Sequence, residues 1–279
     1  MGLEKRTVKI IVAVVIAVLI IGGIIGLLLG LLLPHRYVEL IVRPTSDEYR
    51  SDQPRIEFIW RDPGSWHPWF RRISEFLREY ETTVPEDPPR APCTIHNKLD
   101  QHIRSPACEM AMRLWGPCTA DNFYGYRDGR PCVFLRLDNI HYWVPEPYNV
   151  TSSLPIPSEM PENIKRAMIH RPANQYGDFI WVSCEGEFSA DMENIGPIQI
   201  IPAELPPGFP TVKLHTADRL SYAQRSLPDS APGPLIAIYF ENPRHNVLIN
   251  VECRIWTRDI YYDRGSRVGR ARFELNILD

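Results

Sequence analysis

Six cysteines are the residues whose chemistry is easiest to bound in this 279-residue chain. Cys93, Cys108, Cys118, Cys132, Cys184 and Cys253 form an even set with no Cys-x-x-Cys knuckle among them. Such a set suits disulfides in an oxidising compartment better than a metal site. Zinc is the competing chemistry, because Cys93, His96, His102 and Cys108 fall close together, but the knuckle spacing of structural zinc sites is missing. Spacing alone does not choose among the possible pairings. A second set, Glu185, Glu187, Asp191 and Glu193, is dense enough to supply an acid and a base. Carboxylates at that density read as a solvated face. The chain has no Asp-x-Asp pair to hold a metal-bound sugar nucleotide, no Gly-x-Ser-x-Gly elbow and no phosphate loop. The reading is therefore a protein that is not an enzyme and uses neither cofactor nor metal.

The elements that must position these residues begin with one stretch unsuited to water. From Ile10 to Leu33 no side chain is charged or polar, and as a helix the stretch runs about 36 Å against a hydrocarbon core of roughly 30 Å. A cleaved signal peptide has a shorter apolar region and a small-residue cleavage site, which Pro34, His35, Arg36 and Tyr37 do not supply. Lys5, Arg6 and Lys9 crowd the residues before the span, which places the N-terminus in the cytoplasm. All six cysteines and the sequon Asn149-Val150-Thr151 lie beyond it, on the lumenal and then extracellular side. Within the span Gly22, Gly26 and Gly30 recur every four residues on one helix face, where a partner helix in the lipid bilayer can approach closely.

The expected organisation is a short cytoplasmic tail (1–9), a transmembrane helix (10–33), a stalk (34–55) holding one short strand in YVELIV, and a folded extracellular domain (56–279). A net charge of −3 without a basic stripe argues against nucleic acid, and 27 prolines argue against helical bundles. One helix is predicted after Asp62-Pro63-Gly64, with Ser65 as N-cap and Trp66, Trp69, Phe70, Ile73, Phe76, Leu77 and Tyr80 as its apolar stripe. Pro145 to Asn174 reads as a long proline-broken loop. Strands are predicted where Val133, Leu135 and Leu137 alternate with Phe134, Arg136 and Asp138, in FIWVSC, over Leu235 to Phe240, where Val247, Ile249, Val251, Cys253 and Ile255 alternate, and at Ala271, Phe273, Leu275 and Ile277 as an edge or closing strand. Together they predict a mainly-β, immunoglobulin-like antiparallel sandwich with one helix and long loops.

The run FYGYRDGRPCVFLRLDNI, Phe123 to Ile140, resembles the Tyr-Gly-Tyr and Gly-x-Pro-Cys region of the beta subunits of the Na,K-ATPase and the gastric-type H,K-ATPase. WVSCEGE, IGPIQIIP, PPGFP, PLIAIYFEN and NVLINVECRIWTRDIYYDRGSRVGRARFELNI follow in that family's order. The resemblance implies disulfides Cys93 to Cys108, Cys118 to Cys132 and Cys184 to Cys253. It also implies an accessory role at the plasma membrane: binding the catalytic alpha subunit of a P-type cation pump, helping it fold and reach the surface, and modulating its cation affinity. After PGFP the family carries a tyrosine-rich stretch facing the catalytic subunit, and here the sequence is TVKLHTADRLSY, Thr211 to Tyr222. The alternative role is a pump-independent adhesion or junction protein that meets an extracellular partner with the same domain.

Overall fold

The computed structural model describes residues 38–45, 54–82, 115–140, 143–149, 155–170, 179–203, 205–211, 234–260 and 268–279, together with the helical positions Ile16, Leu19, Ile20, Gly22 and Gly23. The chain divides into two units, Met1–Tyr37 and Val38–Asp279. Among the described residues no helix is long and apolar enough to cross a membrane. Of the predicted span only those five positions are described; Gly26 and Gly30 lie outside the described residues, as do Cys93, His96, His102, Cys108 and positions 212–222.

The second unit is built on two sheets. The first contains β1 (Glu39–Arg43), β3 (Cys132–Asp138), β7 (Leu235–Phe240) and β5 (Ile198–Ile201), in the order β1-β3-β7-β5. The second contains β2 (Arg55–Ile59), β9 (Arg270–Leu278), β8 (Leu248–Trp256), β4 (Phe179–Gly186) and β6 (Gly208–Pro210), in the order β2-β9-β8-β4-β6. Alternation dictates what each buries. Ile249, Val251, Cys253 and Ile255 on β8 and Phe273, Leu275 and Ile277 on β9 are all at most 1% exposed. Across the gap the rings of Phe240 on β7 and Phe273 on β9 meet edge to face at 6.2 Å, so the two sheets share one core.

Several expectations are corrected. β1 is no stalk strand: it pairs with β3 from Glu39↔Asp138 to Arg43↔Phe134 and buries Val38, Leu40 and Val42, so the folded unit begins near residue 38. The sandwich is not antiparallel throughout, because β2 runs parallel to β9. β9 accordingly lies inside its sheet, between β2 and β8, and β2 is the edge.

Helix α1 (Pro63–Thr82) carries the predicted stripe, and Trp66, Trp69, Ile73, Phe76, Leu77 and Tyr80 are buried while Phe70 is partly so. Its cap is Asp62, whose Oδ1 accepts from Gly64 N at 2.9 Å. Ser65 lies inside the first turn and accepts from Ile59 N at 2.8 Å, tying the helix to the end of β2. Further helices were not expected. α2 (Glu162–Ile169) interrupts the proline-rich loop, and α3 (Ser189–Asn194) follows β4. A 3₁₀ segment (Ala120–Asp128) precedes β3. Both faces of β3 are buried: Phe134 points away from the sandwich core yet is 0% exposed, packed by Trp115 at 5.5 Å and, from the 3₁₀ segment, by Tyr124 at 5.9 Å.

Candidate functional site

The FYGYRDGRPC motif folds into the 3₁₀ segment and the turn into β3. Gly125 has φ +76°, and a Cβ there would stand 1.9 Å from the Arg130 carbonyl oxygen, so the Tyr-Gly-Tyr pattern needs glycine at its centre for conformation and for space. Phe123 and Tyr124 beside it also take positive φ, 49° each, which costs non-glycine residues energy. Their rings are held by α1: Phe123 lies 5.3 Å from Trp66 and 5.5 Å from Phe70, and Tyr124 lies 5.6 Å from Phe70. The Arg127 guanidinium covers the Phe123 ring at 5.1 Å. Cys118 and Cys132 are bonded with Cα atoms 5.7 Å apart and close the loop that contains the motif. Burial pushes the Tyr126 hydroxyl far up, and among the described residues it has no hydrogen-bond partner.

Cys184 on β4 and Cys253 on β8 sit directly opposite each other and are bonded, their Cα atoms 4.1 Å apart. On the other face of these strands lie the charges. Glu252, 7% exposed, accepts from Arg272 Nε at 2.8 Å and from Arg254, and lies 3.5 Å from Arg270 Nε. Arg272 also reaches Glu187 at 3.3 Å. Burial pushes the Glu252 carboxyl up, but the hydrogen bonds and charges of Arg272, Arg254 and Arg270 outweigh it and hold the group below the usual glutamate range. Burial with Glu252 nearby raises the Glu185 carboxyl, and Arg254 opposes them.

Of the four sequence-predicted carboxylates, Glu185 and Glu193 are exposed, as on a solvated face, and the other two are engaged. Asp191 is not solvated: at 5% exposure it accepts from the backbone of Phe188 at 3.2 Å and of Asn250 at 3.0 Å, fixing α3 against β8. Glu187 belongs to the arginine network. Among the described residues no group of three His, Cys, Asp or Glu is placed to hold a metal ion.

Asn149 ends the segment 143–149, which runs beside the end of β8: Pro147 bridges to Thr257, Arg258 N donates to the Glu146 carbonyl at 2.8 Å, and Asp259 accepts from the Trp143 indole and from Glu146 N. Nearby, α2 covers a second small core that sequence reading missed. Ile164 and Met168 pack with Phe179, Trp181 and Trp256, and the two indoles donate to the Tyr148 carbonyl and to Ser183 Oγ at 2.9 and 2.8 Å. The signal was present in FIWVSC, whose outward positions Phe179 and Trp181 are as apolar as its inward ones. Thr211, where the divergent stretch begins, is buried next to β6 at the edge of the second sheet.

What these features define is a two-sheet β-sandwich stapled by disulfides, with Glu252 and Glu187 held by arginines and Asp191 by backbone amides. The sodium / potassium ATPase beta chain family matches residues 38–273, which is nearly the whole folded unit, and the chain belongs to that family. The sodium/potassium-transporting ATPase subunit beta-2 of Drosophila melanogaster is 36% identical over 235 residues, covering 81% of this chain and 67% of that protein. The fly's subunit beta-1 is 28% identical over 236 residues, 85% of this chain and 69% of its own. Human subunit beta-2 is 26% identical over 234 residues, 77% of this chain and 65% of its own.

Proposed function

We propose that this chain is the non-catalytic beta subunit of a Na,K-type or H,K-type cation pump, anchored in the plasma membrane by Ile10–Leu33 as a single-pass type II protein with its sandwich outside the cell. It binds the catalytic alpha subunit, assists its folding and delivery, and tunes its cation affinity. The observation that carries this reading is the coincidence of the family match, residues 38–273, with the folded unit Val38–Asp279. The uncharged stretch Ile10–Leu33 supports the anchor. Gly22, Gly26 and Gly30 supply the face that packs on a helix of the alpha subunit. Cys93 and Cys108 form a third disulfide, and Asn149 carries an N-linked glycan, its segment lying beside the end of β8.

The test is a mild-detergent pull-down of the tagged full-length protein from its native membranes, probed for a P-type catalytic subunit. Recovery near one to one supports the reading. A clean absence, with the protein folded and at the cell surface, overturns it in favour of a pump-independent adhesion protein. Removal of N-glycans from wild type and from Asn149→Gln, compared by gel mobility, checks the glycan: only the wild type shifts.

A further inference from the structure

The two sheets end on the edge strands β1, β5, β2 and β6, which differ in how their outer backbone groups are satisfied. β2 is guarded by α1. Its ladder to β9 uses Pro54 O and Trp60 N, so the backbone of Glu57 and Ile59 faces outward. There the Trp69 indole donates to the Glu57 carbonyl at 3.0 Å, Ser65 Oγ accepts from Ile59 N at 2.8 Å, and Asp62 N donates to the Ile59 carbonyl at 3.2 Å. On β1 the residues whose backbone faces away from β3, Leu40 and Val42, are buried, and Val38 accepts from Gly269 N at 3.1 Å. β6 is only Gly208–Pro210, and its proline has no N–H to offer.

β5 is the edge left open. Its register to β7 runs from Ile198↔Phe240 to Ile201↔Ala237, and Glu241 N donates to the Pro197 carbonyl at 3.0 Å. Hydrogen-bonded positions alternate along an antiparallel ladder, so Gln199 and Ile201 face β7 while the N–H and C=O of Ile198 and Ile200 point away from it. Among the described residues nothing bonds to those outward groups, and Ile198, Gln199 and Ile200 are half-buried rather than covered. Edge strands are ordinarily blunted by charge. From Pro197 to Pro202 the chain carries none. The two prolines donate nothing, so pairing is confined to the residues between them.

We infer that β5 is a docking edge for the β5 of a second copy of this chain, paired antiparallel about a two-fold axis at Gln199. The strand is self-complementary in that register. Ile198 lies opposite Ile200 of the second copy and exchanges both backbone bonds with it, and the symmetric pair does the same, so every outward N–H and C=O is used. The side chains agree, because directly opposite residues share a face. Isoleucine meets isoleucine on the face turned to the sandwich core, and the uncharged Gln199 meets its own copy on the other. The two first sheets then join into one continuous sheet. The inference does not depend on which partner the domain otherwise binds.

A strand pair this short is weak between dilute copies, so it is read by trapping it covalently on the full-length chain in intact cells. At the two-fold axis the Gln199 Cα atoms come about 4.5 Å apart, within disulfide range. On mild oxidation Gln199→Cys is expected to give about tenfold more reducible dimer than Glu57→Cys, the control exposed on the guarded edge. Only chains that resist limited proteolysis are counted, so misfolded ones do not enter. Ile200→Pro, added to Gln199→Cys, removes an outward N–H without touching the β7 ladder and is expected to abolish the dimer. Ile198→Pro takes its place if that variant does not fold. A Gln199→Cys chain that stays monomeric, or a dimer that survives the proline, overturns the pairing. So does a reducible adduct of another mass, which assigns the edge to a different protein's strand.

Discussion

Single residues in this molecule matter through conformation, burial and charge. Gly125→Ala forces a Cβ onto the Arg130 carbonyl at a left-handed φ, and is expected to destabilise by more than about 3 kcal/mol, read as a lowered urea midpoint. Tyr126→Phe goes the other way. It deletes a buried hydroxyl that has no partner among the described residues, and is expected to be neutral or to stabilise by about 1 kcal/mol in the same assay. Glu252→Gln is the electrostatic case. The arginines around Glu252 hold its carboxyl below the ordinary value of about 4.3, so its contribution is present above that value and is lost as pH falls through the lower, folded-state value. The variant leaves Arg270 buried with less counter-charge, at a cost of about 3 to 5 kcal/mol near pH 7. Urea unfolding followed into acid should show the gap between wild type and variant closing; a gap that stays constant would contradict the network.

Elements differ in how far the sequence announced them, and the reason is range. The α1 stripe and the alternations of β8 and β9 were legible because each is a local period set against one continuous core. α2 was hidden by the prolines around it, and it exists because the outward residues Phe179, Trp181 and Trp256 need a cover. The parallel β2–β9 pair could not be read, since nothing local records which strands meet across more than two hundred residues. The same limit applies to the carboxylates: the sequence showed four of them close together, but that Asp191 is a buried strut depends on Asn250, a strand away. Two substitutions test the elements. Ile73→Ala, at the 0%-exposed centre of α1, is expected to cost about 2 to 5 kcal/mol. Cys253→Ser breaks the β4–β8 staple and is expected to cost about 2 to 5 kcal/mol and to hold the protein in the secretory pathway; normal surface delivery would count against the disulfide's importance.

For the whole molecule, the sandwich and the apolar N-terminal stretch pose separate questions, since they fall in different units of the chain. A partner could engage either. On the proposed reading of Ile10–Leu33 as a transmembrane helix, the four-residue spacing of Gly22, Gly26 and Gly30 on one helix face predicts that the stretch contributes its own share of the association, through the close backbone approach on which packing in lipid depends. Gly26→Leu fills the middle of that face while keeping the stretch apolar, so insertion into the bilayer is preserved. The expected outcome is a severalfold loss of co-purified catalytic subunit, with disulfide formation and glycan maturation of the sandwich unaltered. Leu28→Ala, off the glycine face, serves as the matched control and should retain the partner. Unchanged recovery with Gly26→Leu would move the association onto the sandwich, and the segment from Thr211 to Tyr222 would then be the first to substitute.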